Sequence, residues 1–418
     1  MSNLEFVKLN TVCTRITDGS HYSPKGITEG YPMLSVKDML HHGFSYDACK
    51  YISEEDYNDM LKSDCVPLVN DVLIAKDGSY LKHVFVIKEE KKQGILSSIG
   101  ILRPNLKKIN PEYLKYYLHS NSVKVTVAKK YVSGSALPRI ILKNFGEIDV
   151  IYKPLIEQQK IAKVLSDLDS KIELNNRINT ELEAMAKTLY DYWFVQFDFP
   201  DANGKAYKTS GGKMVWNEEL KREIPEGWEM KIVDVLLAKE TTTTKIPTSE
   251  ILEKGLIPVI DQSTNYIKGY TNDKRSVITT DKARILFGDH TRILKLINFD
   301  FARGADGTQV LLSKNEKMPQ HLFFHSLLKI DLSNYGYARH FKFLKDAKII
   351  IPSKKTAIEF EEIVSGFYNK IKSNIFQNQE LASLRDWLLP MLMNGQVSVG
   401  EVEEELGMVA EESPRYGK

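Results

Sequence analysis

The sequence predicts an α+β chain in which two mixed α/β domains are separated by two long helices packed as an antiparallel coiled coil. The first observation is an internal repeat, because residues 156–193 match a segment 199 residues later without a gap. The second is that apolar residues in both copies recur in alternating steps of three and four, the heptad pattern of coiled-coil helices. The third is that a segment with short β-like runs precedes each copy.

Proline and glycine mark the limits of these helices. Pro154 precedes the first copy and Pro352 the second, while Gly395 marks the end of the second. A single helix of this kind would pack on its own domain. Two matched helices, each about 57 Å long at ~1.5 Å per residue, favour packing on one another. The identical pairs at this offset include Lys171 and Lys370, Ile172 and Ile371, Glu181 and Glu380, Leu182 and Leu381, and Leu189 and Leu388.

Asparagines interrupt the apolar seam of both predicted helices. Asn175 and Asn179 lie in the first helix, and Asn374 and Asn378 lie at the matching places in the second. A polar seam residue lowers stability but fixes the register of a coiled coil. We therefore expect these four residues to set the antiparallel register. The alternative is that they lie at the edge of the seam and face water.

The segments before the helices differ from one another in sequence but share a pattern. Each has short β-like runs and one short helix that begins at a proline, Pro111 or Pro319. A polar, glycine-rich connector at residues 195–225 joins the first helix to the second segment. The β-like runs are residues 71–75, 84–87, 283–287 and 348–351.

Composition sets limits on where this chain works and on what it binds. Its 57 Lys and Arg residues face 55 Asp and Glu residues, so a basic surface for nucleic acid must be local. No run approaches the roughly 18 apolar residues of a membrane span, and the N-terminus lacks a secretion signal. Three scattered cysteines (Cys13, Cys49 and Cys65) favour a reduced cytoplasm without a disulfide framework or zinc site.

Motifs of catalytic sites are missing from the sequence. It contains no HExxH zinc motif, no GxxxxGK[ST] phosphate loop and no GxGxxG dinucleotide motif. Asp18-Gly19 beside His21 could suggest a catalytic aspartate, but a turn is favoured there. Residues 89–91 (Glu-Glu-Lys) faintly suggest a nuclease, but a charged turn explains them better. We expect no catalytic, cofactor-binding or metal-binding residue in this chain.

Several strings, in this order and on this repeat, carry a family resemblance. They are TDGSHYSP from Thr17, YPMLSVKDM from Tyr31, NDVLIAKDGSY from Asn70, SGSALPRI from Ser133, KPLIEQQKIAKVLSDLDSKIELNNRINTELE from Lys153, WFVQFDFPDANGKAYKTSGGKMVW from Trp193 and IPEGWEMKIVDV from Ile224. Through them the chain resembles the specificity subunits of type I restriction-modification enzymes over nearly its whole length. Its second half departs from that pattern, because Thr356-Ala-Ile replaces Glu157-Gln-Gln and Tyr337-Ala-Arg339 replaces Leu-Pro-Arg139.

The resemblance implies a DNA reader that is not itself an enzyme. Each variable domain would recognise one half of an interrupted asymmetric site in double-stranded DNA, and the helices would set the spacing. The partners implied are two modification (methyltransferase) subunits, which bind S-adenosylmethionine and methylate adenine, and restriction subunits that use ATP and Mg; this chain would hold no cofactor. The implied segments are a target-recognition domain at 1–152, a spacer helix at 153–195, the connector at 196–225, a second target-recognition domain at 226–352, a second spacer helix at 353–395 and an acidic tail at 396–418.

Polar and basic loop residues are the candidates for contact with DNA, because Arg pairs with guanine and Asn or Gln with adenine, while most Lys contacts go to phosphate. The alternative for each is solvated surface. In the first domain the candidates are His21, Tyr22, Lys25, Ser79, Tyr80, Lys82, His83, Ser133, Ser135 and Arg139. In the second they are Thr243, Thr244, Lys245, Gln262, Thr264, Asn265, Tyr266, His290, Thr291, Arg292, Tyr337, Arg339 and His340.

Two other classes of function remain open at this point. One is a nuclease or methyltransferase that acts alone, for which purified chain would modify DNA. The other is a coiled-coil adaptor without DNA readout, for which substitutions at Arg139, Arg292 and Arg339 would leave sequence choice unchanged.

Overall fold

The computed structural model describes residues 4–40, 42–77, 81–133, 139–240, 243–305, 307–333, 336, 339–402 and 404, the side chains of residues 132 and 133 excepted. The chain divides into two compact units. The first comprises Met1–Glu173 with Asn378–Lys418, and the second comprises Leu174–Gln377. Each unit therefore combines one β-rich domain with part of each long helix.

The first domain contains two small sheets, ordered β2-β8-β5-β6 and β4-β3-β7, and the strand pairs β1-β11 and β9-β10. Its strands are β1 (Glu5–Lys8), β2 (Cys13–Asp18), β3 (Tyr31–Leu34), β4 (Lys50–Ile52), β5 (Val72–Ala75), β6 (Val84–Val86), β7 (Gly94–Ile95), β8 (Ile99–Pro104), β9 (Val132–Ser133), β10 (Arg139–Ile140) and β11 (Asp149–Tyr152). Its helices are α1 (Leu9–Val12), α2 (Glu54–Lys62), α3 (Pro111–His119), α4 (Asn121–Lys130), α5 (Leu142–Gly146) and a 3-10 turn at Val36–Asp38, followed by the long helix α6 (Leu155–Tyr190) and a π turn at Asp191–Val195.

The second domain contains sheets ordered β16-β15-β20-β17 and β19-β18-β21, and the strand pairs β12-β13 and β14-β22. Its strands are β12 (Met214–Asn217), β13 (Arg222–Pro225), β14 (Glu229–Ile232), β15 (Ile257–Ile260), β16 (Gly269–Thr271), β17 (Val277–Ile278), β18 (Arg284–Gly288), β19 (Leu294–Ile297), β20 (Phe301–Arg303), β21 (Thr308–Leu311) and β22 (Lys348–Ile351). Its helices are α7 (Val233–Leu236), α8 (Gln320–Leu328), α9 (Phe341–Asp346) and 3-10 turns at Thr248–Glu250 and Lys274–Ser276, followed by the long helix α10 (Lys354–Met393).

The two domains share a topology that their sequences do not reveal. Strand β5 lies between antiparallel β6 and β8, as β18 lies between antiparallel β19 and β21. Strand β3 pairs antiparallel with β4 and parallel with β7, as β15 does with β16 and β20. Strand β1 also pairs with β11, the last strand of the first domain, and β14, the first strand after the connector, pairs with β22, the last strand of the second. The repeat therefore includes the domains as well as the helices. Buried strands can keep the same pairing while their side chains change, as long as those side chains stay apolar and of similar size.

The long helices confirm the predicted fold class. Helix α6 begins after Pro154, whose carbonyl accepts from Glu157 N at 2.9 Å. Helix α10 begins after Ser353, whose hydroxyl accepts from Thr356 N at 3.1 Å, and it ends just before Gly395, which has a positive φ of 68°. In the first unit the α6 residues at 161, 165 and 168 share a buried core with the α10 residues at 388, 389 and 392. In the second unit Ala186 shares a core with the α10 residues at 360, 364, 368 and 371.

The sequence difference at the start of the two long helices, Glu157-Gln-Gln against Thr356-Ala-Ile, changes a local contact. Gln158 is fully buried, and its side chain accepts from Asn110 N at 2.8 Å and donates to Lys108 O at 3.0 Å. This amide ties the start of α6 to the start of α3. The matching residue in α10 is Ala357, which is also fully buried but cannot make such a tie. The loss of Gln at this position therefore changes the local packing and not the helix.

The connector is more apolar than its glycine-rich sequence suggests. Phe197 and Phe199 are buried against Trp228, with ring centroids 5.6 and 5.0 Å from that indole. Residues Asp201 to Lys205 form the expected turn, in which the Asp201 carboxylate accepts from Lys205 N at 2.9 Å. The connector is therefore anchored in the second unit's aromatic core.

Candidate nucleic-acid interface

A short bridge brings Arg139 to the end of the central strand of the first domain. Lys76 follows β5 and donates its backbone N–H to Ser98 O at 2.9 Å. Its carbonyl accepts from Ile140 N at 3.1 Å, so Arg139 lies beside this strand end. The Arg139 side chain is exposed, and within the described part of the chain it forms no salt bridge.

The second domain repeats this backbone arrangement at the end of β18. Asp289 N donates to Gly307 O at 2.6 Å, and Asp289 O accepts from His340 N at 3.2 Å. Arg339, one residue earlier, is therefore the structural equivalent of Arg139, as the comparison of the two Arg-containing strings predicts. It too is exposed and lacks a salt bridge to any described residue. We call these two places the strand-end surfaces, around Lys76 in the first domain and around Asp289 in the second.

A buried ion pair underlies the first strand-end surface. Lys76 Nζ lies 2.5 Å from Asp18 Oδ2, and both side chains are almost completely buried. The other oxygen of Asp18 lies 3.2 Å from Nε2 of His21, whose ring is largely exposed. Asp18 is thus the last residue of β2, and its carboxylate contacts the side chains of both Lys76 and His21. This role goes beyond the turn that the sequence favours. The ion pair connects His21 with the strand end that carries Arg139.

Gly19 is required by close packing at the same surface. A Cβ atom at this position would lie 2.2 Å from the carbonyl oxygen of Ile95. Ser20, the next residue, donates its N–H to that oxygen at 2.8 Å. Any side chain at Gly19 would therefore push the His21 turn away from the sheet.

Other first-domain candidates lie at the rim or beyond the described residues. Tyr22 and Lys25 are exposed on the turn after His21, and Lys82 is exposed just before β6. His83 is half-buried, and burial together with the nearby Lys82 lowers its pKa. Ser79, Tyr80 and Ser135 lie outside the described residues, as does the side chain of Ser133.

The second strand-end surface gathers candidates from two loops. The side-chain oxygen of Gln262 accepts from His290 N at 3.2 Å, and the Thr291 hydroxyl donates to Gln262 O at 2.9 Å. His290 and Thr291 are exposed, as are Thr264 and Asn265 a few residues along the first loop. The structure therefore unites two clusters that are 28 residues apart in sequence.

A buried lysine lies beneath the loop at residues 261–265. Lys295 is only 5% exposed, although it lies within strand β19. Its ammonium donates to Asp261 O at 2.8 Å and also to Asn265 O, so it closes both ends of the loop. Burial lowers the pKa of Lys295 to about 8. Sequence reasoning missed Lys295 and Lys76, although a lysine within or directly after an apolar strand is an informative exception.

Some predicted contacts are engaged within the second domain. The Tyr266 hydroxyl donates to Leu296 O, and its ring packs against Phe299. His340 is buried, with Nδ1 2.9 Å from Asp289 O. The exposed Arg292 donates to Leu332 O at 3.1 Å from a backbone with φ of 61°. Thr243 is half-buried, Thr244 and Lys245 are exposed, and Tyr337 lies outside the described residues.

The seam asparagines form hydrogen bonds between helices of opposite direction. Asn175 donates from its side chain to Gln377 Oε1 at 2.7 Å, and Asn374 donates to Asn179 Oδ1 at 2.8 Å. Asn175 and Asn374 are almost completely buried, so these two do not face water. Asn175 with Gln377 and Asn374 with Asn179 are therefore two hydrogen-bonded pairs between the helices within the second unit.

A further polar tie between the helices lies in the first unit. Arg385 donates to Asp169 Oδ1 at 2.7 Å, and the Tyr116 hydroxyl donates to Asp169 Oδ2 at 2.6 Å. At an offset of 199 residues the matching positions in the second unit are Tyr368 and Ala186, both buried in its core. Equivalent positions on the helices therefore hold an ion pair in the first unit and core residues in the second.

The described residues contain neither a metal-binding cluster nor a membrane-spanning helix. No group of three or more His, Cys, Asp or Glu side chains in this part of the chain is placed to hold a metal ion. No helix among the described residues is long and apolar enough to cross a membrane.

Comparison with known proteins decides the family. The sequence pattern described as "Type I restriction modification DNA specificity domain" matches residues 1–184 and 225–383, which is most of the chain. The chain belongs to this family of specificity subunits. The match includes both domains and most of both long helices, and the resemblance found in the sequence is confirmed.

Relatives and a solved structure extend the comparison along the chain. The MjaIX specificity subunit of Methanocaldococcus jannaschii is 28% identical over 314 residues, which is 70% of each protein. The HindI specificity subunit of Haemophilus influenzae is 23% identical, over 76% of this chain and 84% of that protein. The crystal structure of a type I restriction-modification S subunit from M. genitalium superposes with a TM-score of 0.56 at 15% identity, covering 94% of this chain and 97% of that one. This likeness supports the specificity-subunit fold.

Proposed function

We propose that each domain of this specificity subunit reads one half of an interrupted, asymmetric site in double-stranded DNA. The observation that carries the proposal is a shared strand topology with different side chains at equivalent strand ends. Lys76 in the first domain corresponds to Asp289 in the second, while an exposed arginine lies one residue before the bridging residue in both domains. Because base edges differ in their hydrogen-bond donors and acceptors, different polar groups on one scaffold select different sequences.

The exposed groups at each surface divide into two roles. Arg139 and Arg339 can form bidentate hydrogen bonds with guanine, and the amide of Asn265 can do so with adenine. Lys25, Lys82 and Lys245, exposed farther along the loops, suit contacts with phosphate, which position the protein without reading bases. Tyr266 and His340, which are packed inside the domain, would act by supporting the loops around them.

We further propose that the two long helices dock two modification subunits and set the distance between half-sites. When two copies of a repeat pair antiparallel, each contact between them has an equivalent contact with the two copies exchanged. At the offset of 199 residues, Asp169 matches Tyr368 and Arg385 matches Ala186. Such a frame suits two identical partners related by an approximate two-fold axis. Restriction subunits would complete the assembly in the cytoplasm of a bacterial or archaeal cell.

In this proposal the chain contributes recognition and the partners contribute chemistry. The modification subunits would bind S-adenosylmethionine and methylate adenine, and the restriction subunits would use ATP and Mg. The specificity subunit would hold none of these cofactors and would not act as an enzyme by itself.

Exchange of one domain tests the two-reader proposal. The full chain is co-expressed with its modification subunits, and methylated adenines are mapped across the genome. Replacing residues 1–152 with the matching domain of another family member should change one half of the methylated motif and preserve the other. The reciprocal exchange of residues 226–352 is the matched control. If either exchange changed both halves, or neither, the proposal would be wrong; an adaptor without DNA readout predicts no change.

A further inference from the structure

We propose that two buried lysines, Lys76 and Lys295, are positioning residues for DNA reading, each acting on the half-site of its own domain. The inference rests on the proposed function and deepens it, because it names the groups that hold the reading loops in place. Neither ammonium group is exposed enough to contact DNA itself. Each instead fixes the backbone or the side chains of residues that reach the strand-end surface.

Lys76 holds two elements of the first strand-end surface at once. Its carbonyl accepts from Ile140 N at 3.1 Å, which sets the position of Arg139. Its ammonium pairs with Asp18 at 2.5 Å, and Asp18 in turn lies 3.2 Å from the exposed ring of His21. One residue therefore links His21 on the turn after β2 with Arg139 on β10. Movement of Lys76 would change the distance between these two candidate base contacts.

Lys295 has the equivalent positioning role in the second domain, but it acts through hydrogen bonds to a loop backbone. Its ammonium donates to the carbonyls of Asp261 and Asn265 and so fixes a loop of five residues from below. That loop carries Gln262, which contacts the backbone of His290, and the exposed Thr264 and Asn265. Lys295 thus determines which way these polar side chains face.

The cost of burying these lysines supports a positioning role. Transfer of an ammonium group out of water is expensive unless it is paired and hydrogen-bonded, and an apolar residue at a strand position avoids that cost. Both lysines lie in or directly after strands whose other residues are apolar. The Lys76 ammonium is directed at Asp18 at the end of β2, and the Lys295 ammonium is directed at the loop of residues 261–265. An apolar side chain would supply no donor at either place.

Reciprocal substitution tests the proposal in the full chain. Lys76→Met and Lys295→Met are each co-expressed with the modification subunits, and adenine methylation is mapped. We expect Lys76→Met to reduce discrimination between bases in the first domain's half-site about tenfold, within the range that one base contact supplies, and to preserve the other half. Lys295→Met should give the opposite result, so each variant is the control for the other.

Two further variants separate positioning from folding. Lys76→Arg retains a donor for Asp18 and should retain the first half-site. Asp18→Asn with Lys76→Met removes both buried charges, so it avoids an unpaired carboxylate and should still alter only that half-site. If Lys76→Met does not accumulate, the double variant provides the test.

The outcomes are distinct. Altered preference confined to the predicted half supports the proposal, whereas unchanged preference in both halves, or equal loss in both by an assembled complex, overturns it. Failure of the wild-type complex to methylate a two-part motif, or a domain exchange that changes both halves, would instead contradict the proposed function.

Discussion

The side-chain amide of Asn374 donates a hydrogen bond of 2.8 Å to the side-chain oxygen of Asn179, between helices that run in opposite directions. Asn374 is completely buried at this point. A buried amide that finds its partner in only one alignment of two helices disfavours every other alignment. The pair therefore explains why an apolar seam carries a polar residue.

Removal of this pair should lower stability in a coupled manner. We expect Asn179→Ala and Asn374→Ala each to lower the melting temperature, and a double-mutant cycle to give a coupling free energy of about 1 kcal/mol. The measurement is thermal unfolding of the full chain. Lys171→Ala, at an exposed position on the same helix, is the control and should have little effect. Strict additivity of the two asparagine substitutions would show that the hydrogen bond contributes nothing.

The Asp169–Arg385 ion pair should make the first unit sensitive to acid. Burial acts to raise the pKa of Asp169, but hydrogen bonds from Tyr116 and Arg385 outweigh it and hold that pKa below its ordinary value. Because the folded pKa is lower than the unfolded value of about 4, the pair stabilises the fold above that pH and ceases to do so as pH falls through the folded pKa.

Asp169→Asn tests this pH dependence. The variant should be less stable than the wild type near neutral pH, and the difference in melting temperature should shrink as pH falls below about 4. Thermal unfolding across this range is the measurement. The control is Asp167→Asn, which changes an exposed carboxylate two residues before Asp169 on the same helix. A difference that stays constant with pH would contradict the assignment.

Arg139 and Arg339 should each affect a single half-site. Arg139→Ala is expected to lower methylation at cognate sites about tenfold and to relax base choice in the first domain's half alone. Arg339→Ala should do the same for the other half. Lys25→Ala, by contrast, should weaken DNA binding without changing base choice and should reduce its dependence on salt. Loss of selectivity in both halves from one arginine would exclude an independent reading role.

Gly19→Ala should damage the first half-site through the backbone. The added Cβ would meet the Ile95 carbonyl at 2.2 Å, so the turn that carries His21 must shift. We expect loss of first-half selectivity together with a lower melting temperature. Gly26→Ala is the matched control, because its Cβ would meet only two side-chain atoms of Lys50, at 3.8 and 4.0 Å, which are ordinary contacts. Equal behaviour of the two variants would remove the argument from close packing.

Deletion of one heptad from α6 should shift the spacing between half-sites. Seven residues span about 10 Å of helix, which corresponds to roughly three base pairs of B-DNA. We expect either a motif with a shorter unspecified spacer or loss of methylation, as read from a methylation map. Deletion of residues 202–205, the exposed part of the connector turn, is the control. Full activity on the original spacer would contradict the role of the helices as a ruler.

The sequence predicts the architecture well because its signals are periodic. The ungapped offset, the heptads and the terminal Pro154 and Gly395 locate both long helices to within a few residues. The shared topology of the domains could not be predicted, because strand pairing depends on apolar character that many sequences satisfy. Comparison of Arg139 with Arg339 through their short strings does anticipate one equivalent position.

The candidate interface is predicted only in part, for a physical reason. Polar loop residues such as His290 and Gln262 are recognisable as candidates, but their meeting depends on tertiary contacts between distant loops. The inward orientation of His340 depends on Asp289, 51 residues away. The role of Lys295 cannot be predicted in this way, because DNA contacts are expected on exposed loops and this residue is buried within a strand.

The common strand topology has a consequence for how new specificities arise. Since β5 and β18 hold their neighbours by the same pairing, substitutions at the residues that follow them leave the supporting hydrogen-bond ladder unchanged. One gene product can thus diversify its two reading surfaces separately, by point mutation or by recombination at the flanking helices. In laboratory evolution, each reading surface of this chain could therefore be randomised in a separate library. The variants selected from the two libraries could then be combined in one chain.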